Sequence, residues 1–219
     1  MPSKSTSQTV TADAARRRTR RGAATRQALI GGAIRCLHAL GYAGTSIEAV
    51  MEETGISRGS VLNQFPTRIA LMTAAIETAM QAMVEHTRKR GGEIEDPVQR
   101  VRQMCDVFWE AQNIPEAATV TEVLLAARWD GALAEALRPV ARRIETEIDQ
   151  YTTELVLAAG VNETHLDLCR LHARILILSL RGITLELMYD KERSIIHRAL
   201  DRIREMHLTQ CDQVLPAVR

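Results

Sequence analysis

Apolar residues recur at helical spacing along nearly the whole chain, beginning near Ala23. Leu29, Ala33, Cys36, Leu37 and Leu40 stand at i, i+4, i+7, i+8 and i+11, the buried face of one helix. Gly41 ends it by accepting a left-handed backbone. A short helix follows, with Thr45 or Ser46 as N-cap, Glu48 in its first turn and Ile47, Val50 and Met51 on its apolar face. Gly55 closes it. Ser57 caps a third helix with Val61 and Phe65 at i, i+4, and Pro66 stops that helix. A longer helix from about Thr67 carries Ile69, Met72, Ile76, Met80 and Met83 and ends at Gly91-Gly92.

Beyond it, Asp96-Pro97 reads as N-cap and N1 of a fifth helix. Asn113-Ile114-Pro115 and Trp129-Asp130-Gly131 mark two further breaks, and Pro139 should break or kink the segment that runs to about Ala159-Gly160. The last two helices span about Glu163–Tyr189 and Ser194–Leu208. No strand pattern and no internal repeat emerges. The expectation is an all-α protein of about nine helices: three small ones, a connector and a larger bundle.

Composition supports helices. Of 219 residues, 46% are hydrophobic and only 3% aromatic, with Ala, Leu, Ile and Arg plentiful. No run of 18 or more apolar residues offers a membrane span, and the basic N-terminus lacks the apolar core of a secretory signal. Cys36, Cys105, Cys169 and Cys211 are far apart and form no CxxC pair, so they read as reduced thiols of a cytoplasmic protein. Residues 1–22 are rich in Ser, Thr, Ala and Arg and read as a disordered basic arm that ends on Arg16, Arg17, Arg18, Arg20 and Arg21.

The net charge of +1 hides an asymmetry. Residues 1–70 hold ten basic and four acidic side chains, whereas the remainder is net −5. A basic first third suggests a polyanion partner, or else a solvated tail with none.

The segment Gly41–Phe65 carries the chemistry. Two short helices meet at Gly55-Ile56-Ser57, with Ile56 plugging the joint, which is a helix-turn-helix layout whose second helix enters the major groove. Arg58, Gly59, Ser60, Asn63 and Gln64 on that second helix are small or polar, and none is acidic. Arg can pair bidentately with guanine, Asn or Gln with adenine, and the helix N-terminus from Ser57 favours a phosphate.

Residues 25–72 resemble the DNA-binding domain of the TetR (tetracycline repressor-like) family. The matching features are Arg26, Leu29-Ile30, Gly32-Ala33, Gly41-Tyr42, Thr45-Ser46, Gly55-Ile56-Ser57, Gly59-Ser60-Val61, Phe65, Arg68 and Leu71, in order and without gaps. The family pattern has Tyr, one residue, then His before the Phe; here Leu62 and Gln64 stand at those places. The resemblance implies phosphate clamping by Thr45, Ser46, Gln64 and Arg68, with Arg26 as an addition, and base reading by Arg58, Ser60 and Asn63. The Arg-rich arm either compensates for the missing Tyr on DNA or is a bystander.

The resemblance divides the chain into the arm at 1–22, a helix-turn-helix domain at 23–66, and a connector helix with an effector-binding and dimerisation domain at 67–219. It implies a cavity in the middle helices, for which Met80, Met83, Met104, Phe108, Trp109, Gln112, Leu125 and Trp129 are the candidate lining, filled by an apolar or amphipathic small molecule. A Met stripe at helical spacing reads equally as plain core.

The helix at 163–189 is apolar on two faces, one with Leu168, Leu171, Ile175, Leu178 and Leu185, the other with Leu166, Ala173, Leu176, Leu180, Ile183 and Leu187. Such a helix is buried on two sides, either centrally in a monomer or against a second subunit. The resemblance implies a four-helix interface between twin copies, with Arg174, Ile177, Leu178, Arg181, Leu185, Ile196, Leu200 and Ile203 as candidate contacts, and hence a two-fold dimer on a near-palindromic operator.

Other chemistry is thin. His165, Cys169 and His172 share a helix face at i, i+4, i+7, which could approach a metal, but no carboxylate completes a site. No P-loop, GxGxxG, GxSxG or HExxH motif occurs, so neither an enzyme nor a cofactor is expected. The expectation is a sequence-specific DNA-binding transcriptional regulator, a repressor that a small-molecule effector releases from double-stranded DNA. The alternatives are a non-specific DNA-binding protein and a helical metal-binding protein.

Overall fold

Helical period, caps and turns produce ten α-helices in the computed structural model, which describes residues 5–216, with side chains from residue 20 onward. They are α1 (Ser5–Gly44), α2 (Ile47–Thr54), α3 (Arg58–Gln64), α4 (Arg68–Gly92), α5 (Pro97–Arg102), α6 (Met104–Gln112), α7 (Pro115–Ala127), α8 (Gly131–Ala158), α9 (Leu166–Leu187) and α10 (Ser194–Val214), with a single 3-10 turn at Glu163–His165. The fold is all-α, with no strand among the described residues.

Four boundaries differ from the sequence reading. The backbone of α1 is helical from Ser5, inside the arm that composition reads as disordered. Once a helix is nucleated by the packed segment beyond Ala28, Ala and Arg extend it at little cost. The side chains of Arg16, Arg17 and Arg18 lie outside the described residues. The expected fifth helix divides in two at Gln103, whose φ of −90° and ψ of −1° break the ladder. Pro139 does not break α8, which runs unbroken past it with the ring exposed. Finally, α10 continues to Val214, so Cys211 is buried within a helix and not in a tail.

The chain folds as two compact units. One takes in the residues up to Thr78 together with Glu122–Ala136; the other takes in Ala79–Thr121 and Leu137 onward. In the first, α1, α2 and α3 pack together around Leu29, Ala33, Leu37, Val50, Val61, Phe65, Leu71 and Met72. The segment Glu122–Ala136 joins them, though the sequence pattern groups it with the later helices. Two hydrogen bonds tie it there: Glu122 and Asp130 both accept from Tyr42, at 3.1 and 3.5 Å.

In the second unit, α5, α6, α9 and α10 surround a core of Val101, Met104, Phe108, Leu176, Leu180, Leu200 and Val214, with Leu155 and Val156 from α8. A smaller cluster joins α4 to α8 through Met80, Val84, Val140, Ile144 and Ile148. No helix among the described residues is long and apolar enough to cross a membrane.

Candidate functional site

The turn between α2 and α3 is built by three neighbouring residues. Gly55 caps α2 at φ 67°, ψ 13°, a left-handed conformation that a side chain resists, and its N–H reaches Met51 O. The Thr54 hydroxyl donates to Val50 O at 2.7 Å and accepts from Ile56 N at 3.3 Å. Ser46 caps α2, its Oγ accepting from Ala49 N. Ser57 stands at the N-cap of α3, but its hydroxyl donates to Ser60 Oγ at 3.1 Å and accepts from no backbone N–H of the helix. The N–H groups that open α3 therefore have no side-chain cap.

The outer face of α3 presents Arg58, Gly59, Ser60, Leu62 and Asn63, all exposed, while Val61 and Phe65 anchor the other side. Gln64 is half-buried at the end of the helix. Arg58 forms an exposed ion pair with Glu48 of α2. Hydrogen bonds from its own backbone amide, and then from Arg58, hold the Glu48 carboxyl below the usual carboxylate range. Leu62 is 44% exposed, an apolar side chain on an otherwise polar face. A face of this kind can approach base edges closely, with Arg58 and Asn63 for hydrogen bonds and Leu62 for a methyl group.

Two expected phosphate contacts face inward instead. Thr45 is 0% exposed, and its hydroxyl donates to Gly41 O at 2.7 Å. Gly41 breaks α1 at φ 67°, ψ 178°, which frees that carbonyl for Thr45. Arg68 donates through Nε to Thr45 O at 2.7 Å and through Nη2 to Tyr42 O, with its guanidinium 4.0 Å from the centre of the Tyr42 ring. It staples the turn from α1 to α2 and is not free to grip a phosphate. Burial pushes the Tyr42 phenol up, and the Arg68 charge pulls it partly back. Arg26 lies exposed over Phe65 at 4.3 Å and donates to Gln64 O at 3.3 Å, a cation at the C-terminal end of α3.

In the second unit a cavity of about 40 Å³ opens among α5, α6, α8, α9 and α10. Met104 and Phe108 line it, as the sequence suggests. The other six candidates do not. Met80 packs in the separate cluster between α4 and α8, and Met83 is half-buried away from the lining. Trp109 packs against the core and Gln112 is buried, but neither is in the lining. Leu125, within α7, and Trp129, just past its end, belong to the first unit and stand 53% and 82% exposed.

The polar lining comes from residues that the sequence reading placed elsewhere. Cys169 and His172 of α9 meet His207, Gln210 and Cys211 of α10, with Thr152 of α8 beside them. The His172 and His207 rings stack, 5.3 Å between centres and 9° from parallel. Burial, and then the nearby His207, holds His172 down to about 4; burial likewise lowers His207. Burial pushes the Cys211 thiol up to about 11 and the Cys169 thiol in the same direction, so both are protonated and unreactive. His165 is not in this lining. Among the described residues, no group of three or more His, Cys, Asp or Glu is placed to hold a metal. The signal that could have revealed the site was a second pair at helical spacing, His207 and Cys211.

On α9 the residues Leu168, Leu171, Ile175, Leu178 and Leu185 are exposed, whereas Ala173, Leu176, Leu180 and Ile183 of the other apolar stripe are buried and Leu166 and Leu187 half-buried. Of the expected dimer contacts, Leu178 and Leu185 lie on this outer stripe. Leu200 does not: it is 4% exposed, held in the core of its own unit, and Ile177, Ile196 and Ile203 pack against the same core. Arg174 pairs with Asp149 at 3.2 Å, and Arg181 is half-buried, its charge disfavoured by burial and by Arg174.

Residues 29–75 match the family of bacterial regulatory proteins of the tetR type. Over 178 residues the chain is 24% identical to the HTH-type transcriptional regulator CymR of Pseudomonas putida, covering 81% of this chain and 86% of that protein. Among solved structures it is similar to a TetR-family transcriptional regulator from Cytophaga hutchinsonii, with a TM-score of 0.68 and 16% identity over 91% of this chain and 98% of that one. It is also similar to the multidrug binding protein EbrR complexed with imidazole, with a TM-score of 0.59 and 25% identity over 88% of this chain and 92% of that one. These relatives are regulators and binding proteins, not enzymes.

Proposed function

We propose that this chain is a TetR-family DNA-binding transcriptional regulator, a cytoplasmic repressor that is dimeric on a near-palindromic operator and released by a small-molecule effector. The observation that carries the reading is the exposed outer face of α3, polar except for Leu62 and free of acidic residues. Residues 23–66 form the reading domain, and 67–219 carry the connector, the effector cavity and the dimer contacts. Arg58, Ser60, Asn63 and Leu62 face the bases. Ser46, Gln64, Arg26 and the backbone of Ser57 and Gly59 face the phosphates. Thr45 and Arg68 act behind them by fixing the turn.

The dimer reading rests on the outer stripe of α9. Leu168, Leu171, Ile175, Leu178, Gly182 and Leu185 follow one another at alternating steps of three and four, the spacing of a helix seam. A side chain at Gly182 would meet nothing within 4 Å in the single chain, so a partner helix has room to approach there. Effector control is supported by the cavity in the second unit and by EbrR, a multidrug binding protein whose structures hold imidazole and ethidium.

Selection of bound fragments from genomic DNA by the purified protein, at fixed salt, tests the operator reading. A recovered near-palindrome supports it; equal binding to all duplexes overturns it in favour of non-specific binding. Light scattering tests the dimer. Leu178→Glu should give a folded monomer with weakened operator binding, and a Leu178→Glu protein that stays dimeric rules the seam out.

A further inference from the structure

The cavity in the second unit has an unusual polar side. Its walls are mainly hydrocarbon and sulfur, and no ionised side chain is in the lining. The polar atoms belong to Thr152, His172, His207 and Gln210.

The two imidazoles have assigned tautomers. His207 Nε2 lies 3.0 Å from Val101 O, a carbonyl that can only accept, so that nitrogen carries the proton. Burial keeps His207 neutral, which leaves its Nδ1 as an acceptor. His172 Nε2 lies 3.0 Å from that Nδ1 and must donate to it. His172 is neutral as well, so its own Nδ1 carries the lone pair that the relay has not used. Across the same cavity, the side-chain nitrogen of Gln210 is buried without a hydrogen-bond partner. One unused acceptor and one buried donor without a partner thus line the same apolar space, and the donor is costly to leave unsatisfied.

We propose that this cavity binds a neutral apolar molecule bearing one hydroxyl, whose O–H donates to His172 Nδ1 and whose oxygen accepts from the Gln210 amide. The assignment rests on the effector reading above and names the ligand class. A carboxylate would set its lone pairs against the lone pair of His172, with no cation in the wall to hold it. An ammonium would lose its hydration with no carboxylate to meet it. A hydrocarbon would leave the Gln210 nitrogen buried and unsatisfied and the His172 lone pair unused. About 40 Å³ is space for roughly three water-sized groups, enough for the hydroxyl and its first carbons. The flexible side chain of Met104 makes room for the rest.

Calorimetric titration of the full-length protein with two alcohols and their methyl ethers tests this: phenol against anisole, and cyclohexanol against methoxycyclohexane, with benzoate at pH 7 as the charged control. At least one alcohol should bind once per chain, with its ether and benzoate at least roughly tenfold weaker. His172→Phe and Gln210→Met keep volume but remove the acceptor and the donor. In each, checked for an intact melting transition, the alcohol-to-ether ratio should collapse towards one. Binding of neither alcohol, equal binding of alcohol and ether, or a preference that survives both substitutions overturns the proposal. Operator affinity measured with the same compounds separates it from the effector reading. An alcohol that binds and leaves DNA affinity unchanged would sink effector release while keeping the site. An ether that releases DNA as well as its alcohol would do the reverse.

Discussion

The backbone N–H of Tyr42 donates to Glu122 Oε2 at 3.1 Å, across 80 residues of sequence. The Gly41 break strips that N–H of its helical acceptor, and Glu122 replaces it. Glu122→Ala should lower stability by about 1–2 kcal/mol through the orphaned donor, while Glu122→Gln should recover much of the loss. Urea unfolding followed by circular dichroism gives the values, and an unchanged midpoint in the alanine variant would show that water serves Tyr42 as well.

The Glu48–Arg58 pair is exposed on both sides, so it contributes little to stability. On the operator reading proposed above, its effect falls on DNA binding. Arg58→Ala should cost roughly 1–3 kcal/mol on the selected operator and relax sequence preference. Glu48→Ala removes a carboxylate from the approach to phosphate and frees Arg58, so affinity should rise on every duplex and discrimination should fall. Titrations against operator and scrambled DNA check both; a Glu48→Ala protein with better discrimination would contradict this.

Arg68 serves the fold. Arg68→Ala leaves the Thr45 carbonyl without its donor and the Tyr42 carbonyl with only the 3.3 Å bond from Thr45 N, and should cost about 1–3 kcal/mol of stability. Arg68→Lys should rescue it only in part, since an ammonium cannot span both carbonyls and the Tyr42 ring. The slope of operator affinity against salt, measured where the variant is folded, should match wild type; a slope shallower by about one would place Arg68 on a phosphate after all.

The helix-turn-helix was legible in the sequence because its signals are local. Gly55, Ser57 and Pro66 each act within a turn of themselves, and the period of Leu29, Ala33 and Leu37 needs no distant partner. The inward turn of Thr45 was not legible because it depends on a carbonyl freed at Gly41 and on Arg68, 23 residues away. The cavity was legible only in Met104 and Phe108. Its polar side joins His172 to His207 across 35 residues, and no spacing rule reaches that far. Trp129 was a plausible lining residue by size alone, and size says nothing of which way a helix end points.

The neutral histidine pair sets a pH dependence. His172 is held at about 4 in the folded protein, against an ordinary value of 6.5. Between those values the unfolded chain takes up a proton that the folded chain refuses, so stability is lost as pH falls from about 6.5 to about 4. His207, lowered by burial, acts in the same direction, with Asp106 and Arg102 nearby opposing each other. Allowing for solvent around the half-buried His172 ring, about 2 kcal/mol should disappear across this window. His172→Phe should flatten that limb of a stability-against-pH curve, and a limb of unchanged steepness would assign it to carboxylates.

The Glu48–Arg58 pair also bears on how the regulator travels. A cation already matched to a carboxylate displaces few counterions when it meets a random phosphate, so an incidental encounter gains little. Residence on random sequence is then brief, and the molecule hops where a more basic head would slide. On the operator reading proposed above, only a site whose bases out-compete Glu48 for Arg58 would hold it, which would make recognition a matter of dwell time as well as of equilibrium.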